Sequence, residues 1–415
     1  MEETTKVLAP RSIEEIGIRK NLLEDLALKI TYLVGEIALH ELARHMGLFL
    51  GIVEELFQRL RKDQFCLVTG MDRGVHCITT TSTGKSRALE LLAQNQYAGP
   101  APVSLGDYVS RILAQSVSNI EITPKDVNHA FRDLVLDSQT LNQIGTAVQS
   151  GRAIFLYGPT GTGKTTIAET FTRLFSQSQV FLPHAVEVDG QIITVYDSAL
   201  HQRVRQPTDS DHDGRWVLCL RPCVMVGGEL TIEMLDLQFN PSTKFYTGPV
   251  QMKANNGLLI IDDFGRQRIS PEELLNRWVV PLDRRIDFLT LAGGKKIDIP
   301  FDIFVTFATN IDPAKLVDEA FLRRIQTKIK VGFVTPEQFH EIFQRVCLQY
   351  KMNYDAAMVG DLIQLLEQAY KEPLRACYPR DIAQQILWEA KYLKKEARLD
   401  REAVSQACHN YFLSS

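Results

Sequence analysis

A chain of 415 residues has room for two to four domains, and 45% hydrophobic against 23% charged residues is an ordinary globular balance. With 46 basic and 50 acidic side chains the net charge is −4, which excludes a global drive toward nucleic acid or anionic membrane; any DNA contact needs a local basic patch. No run reaches 18 apolar residues, since Trp216–Val226 is broken by Arg221 and Pro222, so no membrane insertion is expected. Met1–Ser12 has no apolar core, so no secretory signal is expected. The seven scattered cysteines fit a reduced, cytoplasmic protein. Cys219 and Cys223 lie four apart, but no second Cys or His pair has zinc spacing, so they read as buried thiols.

Residues 1–18 read as a flexible tail. Residues 19–97 then form a compact pattern. Leu22, Leu23, Leu26, Ile30 and Leu33 mark one amphipathic helix, Ile37 to Met46 a second, and Ile52, Val53, Leu56, Phe57 and Leu60 a third. Phe65–Thr69 and Val75–Thr79 read as strands around the turn Asp72-Arg73-Gly74, and Ala88, Leu89, Leu91 and Leu92 mark a closing helix. Three helices, a β-ribbon and a last helix resemble a small α+β winged helix-turn-helix domain. The third helix would then be the reader. Its first half offers Gly51, Glu54 and Glu55, a poor surface for phosphate, and Gln58, Arg59, Arg61 and Lys62 come late. That charge favours a protein-docking role, with DNA binding by residues 19–97 as the second reading.

Residues 98–122 read as a linker, opening with Gly99-Pro100-Ala101-Pro102 and holding a short helix over 104–116. Thr123-Pro124 starts another helix, with Val127, Ala130, Phe131, Leu134 and Val135 as its stripe, and a further helix covers about 138–149. Ala153 to Tyr157 is a buried strand. It runs into Gly158-Pro159-Thr160-Gly161-Thr162-Gly163-Lys164-Thr165-Thr166, followed by Ile167, Ala168, Phe171, Leu174 and Phe175 at helical spacing. Strand, G-x-x-x-x-G-K-[ST] and helix together make a P-loop. Its glycines turn backbone N–H groups inward around phosphate oxygens, Lys164 reaches the β/γ-phosphates, and the Thr165 hydroxyl ligates Mg²⁺.

About ninety residues follow before the next motif. Ala185–Val188, Ile192–Tyr196 and Trp216–Leu220 read as strands and Gly227–Leu235 as a helix. Asp209, Asp211 and Asp213 before Gly214 imitate a calcium loop, but position twelve is Leu220 rather than Glu, so no calcium is expected. Leu258 to Ile261 is a buried strand ending in Asp262 and Asp263, at the carboxyl end where open α/β sheets bind ligands. This strand end looks like a Walker B motif, in which Asp262 would hold Mg²⁺ and Asp263 would orient the attacking water. Phe304 to Thr309 is another buried strand, tipped by Asn310.

In this order the motifs resemble those of AAA+ ATPases, over roughly 123–415. The resemblance makes the fold α/β, a P-loop parallel sheet over 123–334 followed by a helical lid over 335–415. It implies an ATPase using ATP and Mg²⁺, with Asn310 as sensor 1. Arg323 or Arg324, in Val317–Ile325, would be an arginine finger reaching a neighbouring subunit; spacing does not choose between them. Arg380 in Pro379-Arg380-Asp381 resembles sensor 2, with Arg375 the runner-up. Helices at about 336–350, 355–370, 379–395 and 401–413 would build the lid. The second acid departs from the pattern, which usually has Glu; Asp263 is shorter, so slow hydrolysis or a switch is a further reading. The approach to Asp262, with a hairpin over Phe288–Ile299 turning at Gly293-Gly294, looks like the helix-2-insert branch that includes MoxR-type chaperones. That branch implies a ring homo-oligomer, a hexamer, remodelling an unknown protein client, with Phe245 and Tyr246 as candidate client contacts or plain core aromatics.

Overall fold

The computed structural model describes residues 7–176, 178–205 and 211–412. The chain divides into two compact units, one of residues 1–120, 175–259 and 273–304, the other of 121–174, 260–272 and 305–415. Among the described residues no helix is long and apolar enough to cross a membrane.

The first unit begins with helices Lys20–Val34, Leu39–Met46, Leu50–Lys62 and Ser82–Gln94 and a three-stranded antiparallel sheet with Val75–Thr80 at its centre, between Glu36–Ala38 and Cys66–Asp72. Gly47 ends the second helix in the left-handed conformation, and the Thr81 hydroxyl caps the fourth by accepting from Gly84 N. The second helix starts two residues later than its apolar pattern suggests, because Ile37 and Ala38 are drawn into the sheet opposite Ile78 and Cys77. Leu23, Leu26, Ile30, Leu42, Ile52, Leu56 and Phe57 fill the core, which continues into Ala185 and Ile192.

Two stretches read as peripheral are packed in this unit, the second with its short helix where the sequence placed it. The stretch read as a loose tail is packed over its described part: Val7, Ile13 and Ile16 are buried, and the Arg215 guanidinium, paired with the buried Asp213 at 2.8 Å, donates to Ile16 O at 3.0 Å. The stretch read as a linker carries the helix Leu105–Ala114, whose Tyr108 and Ile112 are fully buried. Val7, Tyr108 and Ile112 cover the apolar face of the sheet Gln238–Asn240, Phe245–Thr247, Gln191–Thr194, Ala185–Val188, Val103–Ser104, whereas Ile13 and Ile16 join the core of the helices. The expected helix at Gly227–Leu235 is reduced to one 3-10 turn, Glu233–Leu235; Gly227 and Gly228 disfavour a helical start. The hairpin pairs Ile286–Thr290 with Lys296–Pro300 as read. Tyr246 is buried, its hydroxyl accepting from Ala292 N at 2.9 Å, and Phe245 packs edge-on against Tyr97, so both are core aromatics rather than exposed contacts. Asp209 of the calcium-like loop lies outside the described residues, and among the described residues no three His, Cys, Asp or Glu side chains gather as metal ligands. All seven cysteines are free thiols.

His184 of this unit gives a pH prediction. Burial pushes its pKa down to about 4, with Arg203 adding to the effect. The unfolded chain therefore binds a proton near pH 6.5 that the folded chain refuses, so stability is lost as pH falls from about 6.5 toward about 4. Between pH 7 and 5 that amounts to about 1–2 kcal/mol, at roughly 1.4 kcal/mol per unit. Urea midpoints at the two pH values should converge in His184→Gln; an undiminished pH dependence in the variant contradicts the assignment.

The second unit is α/β. Strand Ile154–Tyr157 lies between two parallel neighbours, Ile303–Thr309, with Thr306 opposite Ile154, and Thr327–Lys330, with Thr327 opposite Ile154. The end of Gly257–Ile261 lies beyond Ile303–Thr309 in the same sheet. Phe155, Phe264 and Phe307 pack on one another with centroids 5.0–5.9 Å apart, adding side-chain contact to the pairing of these neighbouring strands. Helices Pro336–Tyr350, Ala356–Gln364, Tyr378–Tyr392 and Arg401–Tyr411 form the C-terminal bundle around Phe339, Phe343, Leu362, Leu366 and Ile382. Thr335 and Gln338 close a reciprocal capping box at its start.

Candidate functional site: a glycine-rich loop facing two aspartates

The loop after Tyr157 is built from backbone conformations that only glycine takes cheaply. Gly158 (φ 146°), Gly161 (φ 78°) and Gly163 (φ 94°) all have positive φ. A Cβ on Gly158 would stand 2.1 Å from Val331 O, and one on Gly161 would stand 2.7 Å from Cys377 Sγ, so neither tolerates a side chain. Helix Lys164–Thr170 begins directly after Gly163. Its end is earlier than the apolar spacing suggests, the chain resuming as a second helix at Thr172–Phe175. Pro159, Thr160 and Thr162 complete the loop; the Thr162 hydroxyl donates to Pro159 O at 3.0 Å.

Lys164 is nearly buried, and its ammonium donates to Pro159 O at 2.7 Å. Burial lowers its pKa, while Asp263 and Asp262 pull it back up. The Thr165 hydroxyl donates to Asp262 Oδ1 at 3.1 Å, and Asn310 Nδ2 donates to Asp263 Oδ1 at 3.1 Å. Thus the P-loop threonine, both acids and the asparagine converge at the carboxyl ends of adjacent strands, where an open sheet offers a crevice. Thr166 lines the same cavity.

Asp263 itself has φ 48°. Among non-glycine residues Asn and Asp accept that region best, which gives a backbone reason for Asp rather than the longer Glu. Gln267 holds the turn: its Nε2 donates to Asp262 O at 2.7 Å, and its Oε1 accepts from Gly265 N at 2.8 Å. The Thr309 hydroxyl adds a bond to Phe264 O at 2.7 Å. Sequence reading missed Gln267, whose only signal was its place five residues after Asp262. On the sequence expectation that these acids serve ATP hydrolysis, Gln267→Ala should lower turnover by about tenfold through loosened acids, with nucleotide affinity within about twofold; a steady-state assay beside a binding titration reads both, and an equal loss of affinity would show a role in binding instead.

The bundle contributes the other wall. Cys377 N donates to Gly161 O at 3.1 Å, and Arg375 Nη1 donates to Thr160 O at 3.2 Å. Arg375 also donates to Glu372 at 3.1 Å and sits over the Tyr378 ring. Arg375 is therefore committed to the loop backbone, whereas Arg380 lines the cavity. That cavity measures about 780 Å³ and is lined by the loop, both acids, Asn310, Arg266 and Arg345. Leu134, Val135, Phe333, Val334, Ile342 and Val346 give it an apolar side. Leu134 and Val135 fall at helical spacing after Ala130, but the helix ends at Ala130. Arg345 Nη1 holds the freed segment by donating to Arg132 O at 2.7 Å and Leu134 O at 3.3 Å, and Asp137 caps the next helix. Neither Arg323 nor Arg324 lines the cavity. The Arg323 side chain is 79% exposed, and Arg324 sits over Phe321, 6.0 Å from the ring centroid.

A family model described as "Domain of unknown function (DUF8689)" matches residues 335–410, the helical bundle alone. A search among curated protein sequences finds no match. Among solved structures, the chain is similar to the RuvB Holliday junction branch migration motor of Thermotoga maritima, at 14% identity and TM-score 0.38, over 66% of this chain and 69% of that one. A point mutant of the same RuvB gives 12% identity and TM-score 0.40, over 66% and 69%. Likeness at this level establishes no family for this chain.

Proposed function

We propose that this chain is a Mg²⁺-dependent AAA+ ATPase that works as a ring and remodels a protein partner. The observation that carries the reading is the meeting of Thr165 with Asp262 and of Asn310 with Asp263, each at 3.1 Å, beside a loop bent by three positive-φ glycines. Thr165 Oγ1 and Asp262 Oδ1 are oxygen donors, the type Mg²⁺ requires, so these residues fit the ion. Bound there, Mg²⁺ would offset negative charge on the β- and γ-phosphates. Lys164 would exchange its bond to Pro159 O for phosphate oxygens. Asp263 would accept a proton from, or orient, the attacking water, and Asn310 would hold Asp263 in place for it. The apolar side of the cavity suits a base, and its volume is ordinary for a small-molecule site.

Arg323 and Arg324 stand away from the cavity of their own chain, which supports the reading of a finger offered to a neighbour. Arg324→Ala and Arg323→Ala should leave nucleotide affinity unchanged, and one of them should reduce turnover by about 10³-fold. Wild-type rates in both variants would refute a finger in this segment. For residues 19–97, Lys20–Glu55 at 2.6 Å and Arg59–Glu24 at 3.3 Å use basic groups of the helical face internally, which supports winged-helix protein docking over DNA reading. Salt-dependent binding of a DNA duplex by the full chain, lost on Arg61→Glu with Lys62→Glu, would reverse that preference.

A second reading, a slow nucleotide-operated switch, is favoured by Asp263, whose short carboxylate is already engaged by Asn310. Single-turnover and steady-state ATPase rates decide between them: vigorous turnover removes the switch, and binding without turnover removes the motor.

A further inference from the structure

Five basic side chains line the cavity among the described residues: Lys164, Arg266, Lys330, Arg345 and Arg380. Two are bonded to main-chain oxygens, Lys164 to Pro159 O at 2.7 Å, and Arg345 to Arg132 O at 2.7 Å and Leu134 O at 3.3 Å. Lys330 ends its strand opposite Tyr157, on the side of the P-loop strand away from Asn310 and the acids. Arg380 belongs to the bundle helix Tyr378–Tyr392. Of the five, only Arg266 stands on the segment that carries the two acids, and no expectation from the sequence covers it. Its place is set by backbone. Arg266 N donates to Asp263 O at 2.9 Å, closing a turn that keeps the two α-carbons within about 7 Å. Asp263 and Gly265 hold that turn at φ 48° and 102°, and the Gln267 side chain braces it through Asp262 O and Gly265 N. The guanidinium itself is exposed, with no hydrogen bond or ion pair among the described residues.

We propose that Arg266 reads the γ-phosphate in its own chain's site, a guanidinium through which the protein distinguishes ATP from ADP; this rests on the ATPase reading of the cavity. On that reading the loop amides hold the inner phosphates, and Asp263 with Asn310 marks where the outer one meets water. A guanidinium tied within one turn of Asp263 is therefore placed for the outer phosphate, and its planar fork matches phosphate oxygens two at a time. Charge asks for a cation there. Asp262 and Asp263 add negative charge beside a triphosphate that already carries more than Mg²⁺ and Lys164 offset, and like charges held close repel. Removal of the outer phosphate would leave Arg266 without its partner, whereas the loop would keep its own. The role is separate from the finger expected of Arg323 or Arg324, since those side chains do not line the cavity of their own chain and Arg266 does.

The test compares Arg266→Ala and Arg266→Lys with wild type in isothermal titrations of the full chain with the β,γ-imido analogue of ATP and with ADP, each with Mg²⁺. Both variants keep the backbone bond to Asp263 O, and the exposed side chain belongs to no core. Arg266→Ala should weaken the ATP analogue by roughly tenfold, the loss of charged hydrogen bonds to one phosphate, with ADP affinity within about twofold. Arg266→Lys keeps the charge but not the fork, so its loss should be smaller and in the same sense. An equal loss for both nucleotides overturns the assignment, since Arg266 would then serve the shared phosphates or the turn alone. Unchanged affinity for both overturns it as well and leaves the guanidinium to another molecule. A wild-type chain that binds neither nucleotide removes the ATP site itself, a result distinct from either outcome in the variants.

Discussion

Lys164→Ala is expected to abolish ATP binding. The ammonium is nearly buried, and burial already disfavours its charge while the two aspartates favour it. Such a group is held charged and poorly solvated, ready for an anion. Hydrogen bonds to charged groups are worth about 1.5–3 kcal/mol each, so losing contacts to two phosphates should raise the dissociation constant by about 10²–10⁴-fold. The residue also bonds Pro159 O at 2.7 Å, so part of any loss could come from a slackened loop. Lys164→Met, which keeps the stem packed, separates the two effects. Isothermal titration with ATP and Mg²⁺ reads the result; full affinity in both variants would remove the nucleotide site from this loop.

Replacing Asp263 should divide binding from chemistry. Asp263→Ala removes the carboxylate that Asn310 aligns, and loss of a general base costs typically 10²–10⁴-fold. Nucleotide affinity should stay within about twofold, because Lys164, the loop amides and the Thr165–Asp262 pair are untouched. Asp263→Glu is the sharper variant. It lengthens the acid toward the water but forces a larger residue into φ 48°, a strain of about 1 kcal/mol or more. A rise in turnover would show that the reach of Asp263 is limiting; a fall would show that backbone conformation is. Retained wild-type turnover in Asp263→Ala would exclude the residue from the reaction.

The loop, acid and asparagine positions of the candidate site were legible because each is local. The cradle is nine consecutive residues between a strand and a helix, and Asp262, Asp263 and Asn310 are polar tips on apolar runs. Physical chemistry ties such tips to a sheet's carboxyl edge whatever surrounds them. Contacts between distant segments left no such trace. Ser116 meets Asp302 across 186 residues, and Arg345 meets the Arg132 carbonyl across 213. Nothing in either neighbourhood announces the other. Leu134 and Val135 were misplaced for a related reason: an apolar residue lining a cavity and one lining a helix stripe look alike in sequence.

Local spacing thus settled the α/β class of the second unit and the positions of the loop, the two acids and the asparagine within it, since strand ends, glycine conformations and helix starts depend on neighbours a few positions away. The long-range packing alone decided which polar groups are shared. It put Arg375 on the loop backbone and Arg380 at the cavity, buried Val7, Ile13 and Ile16, and drew Phe245 and Tyr246 into the core. Those outcomes turn on burial and on donors finding acceptors hundreds of residues away, quantities that exist only once the chain has closed on itself.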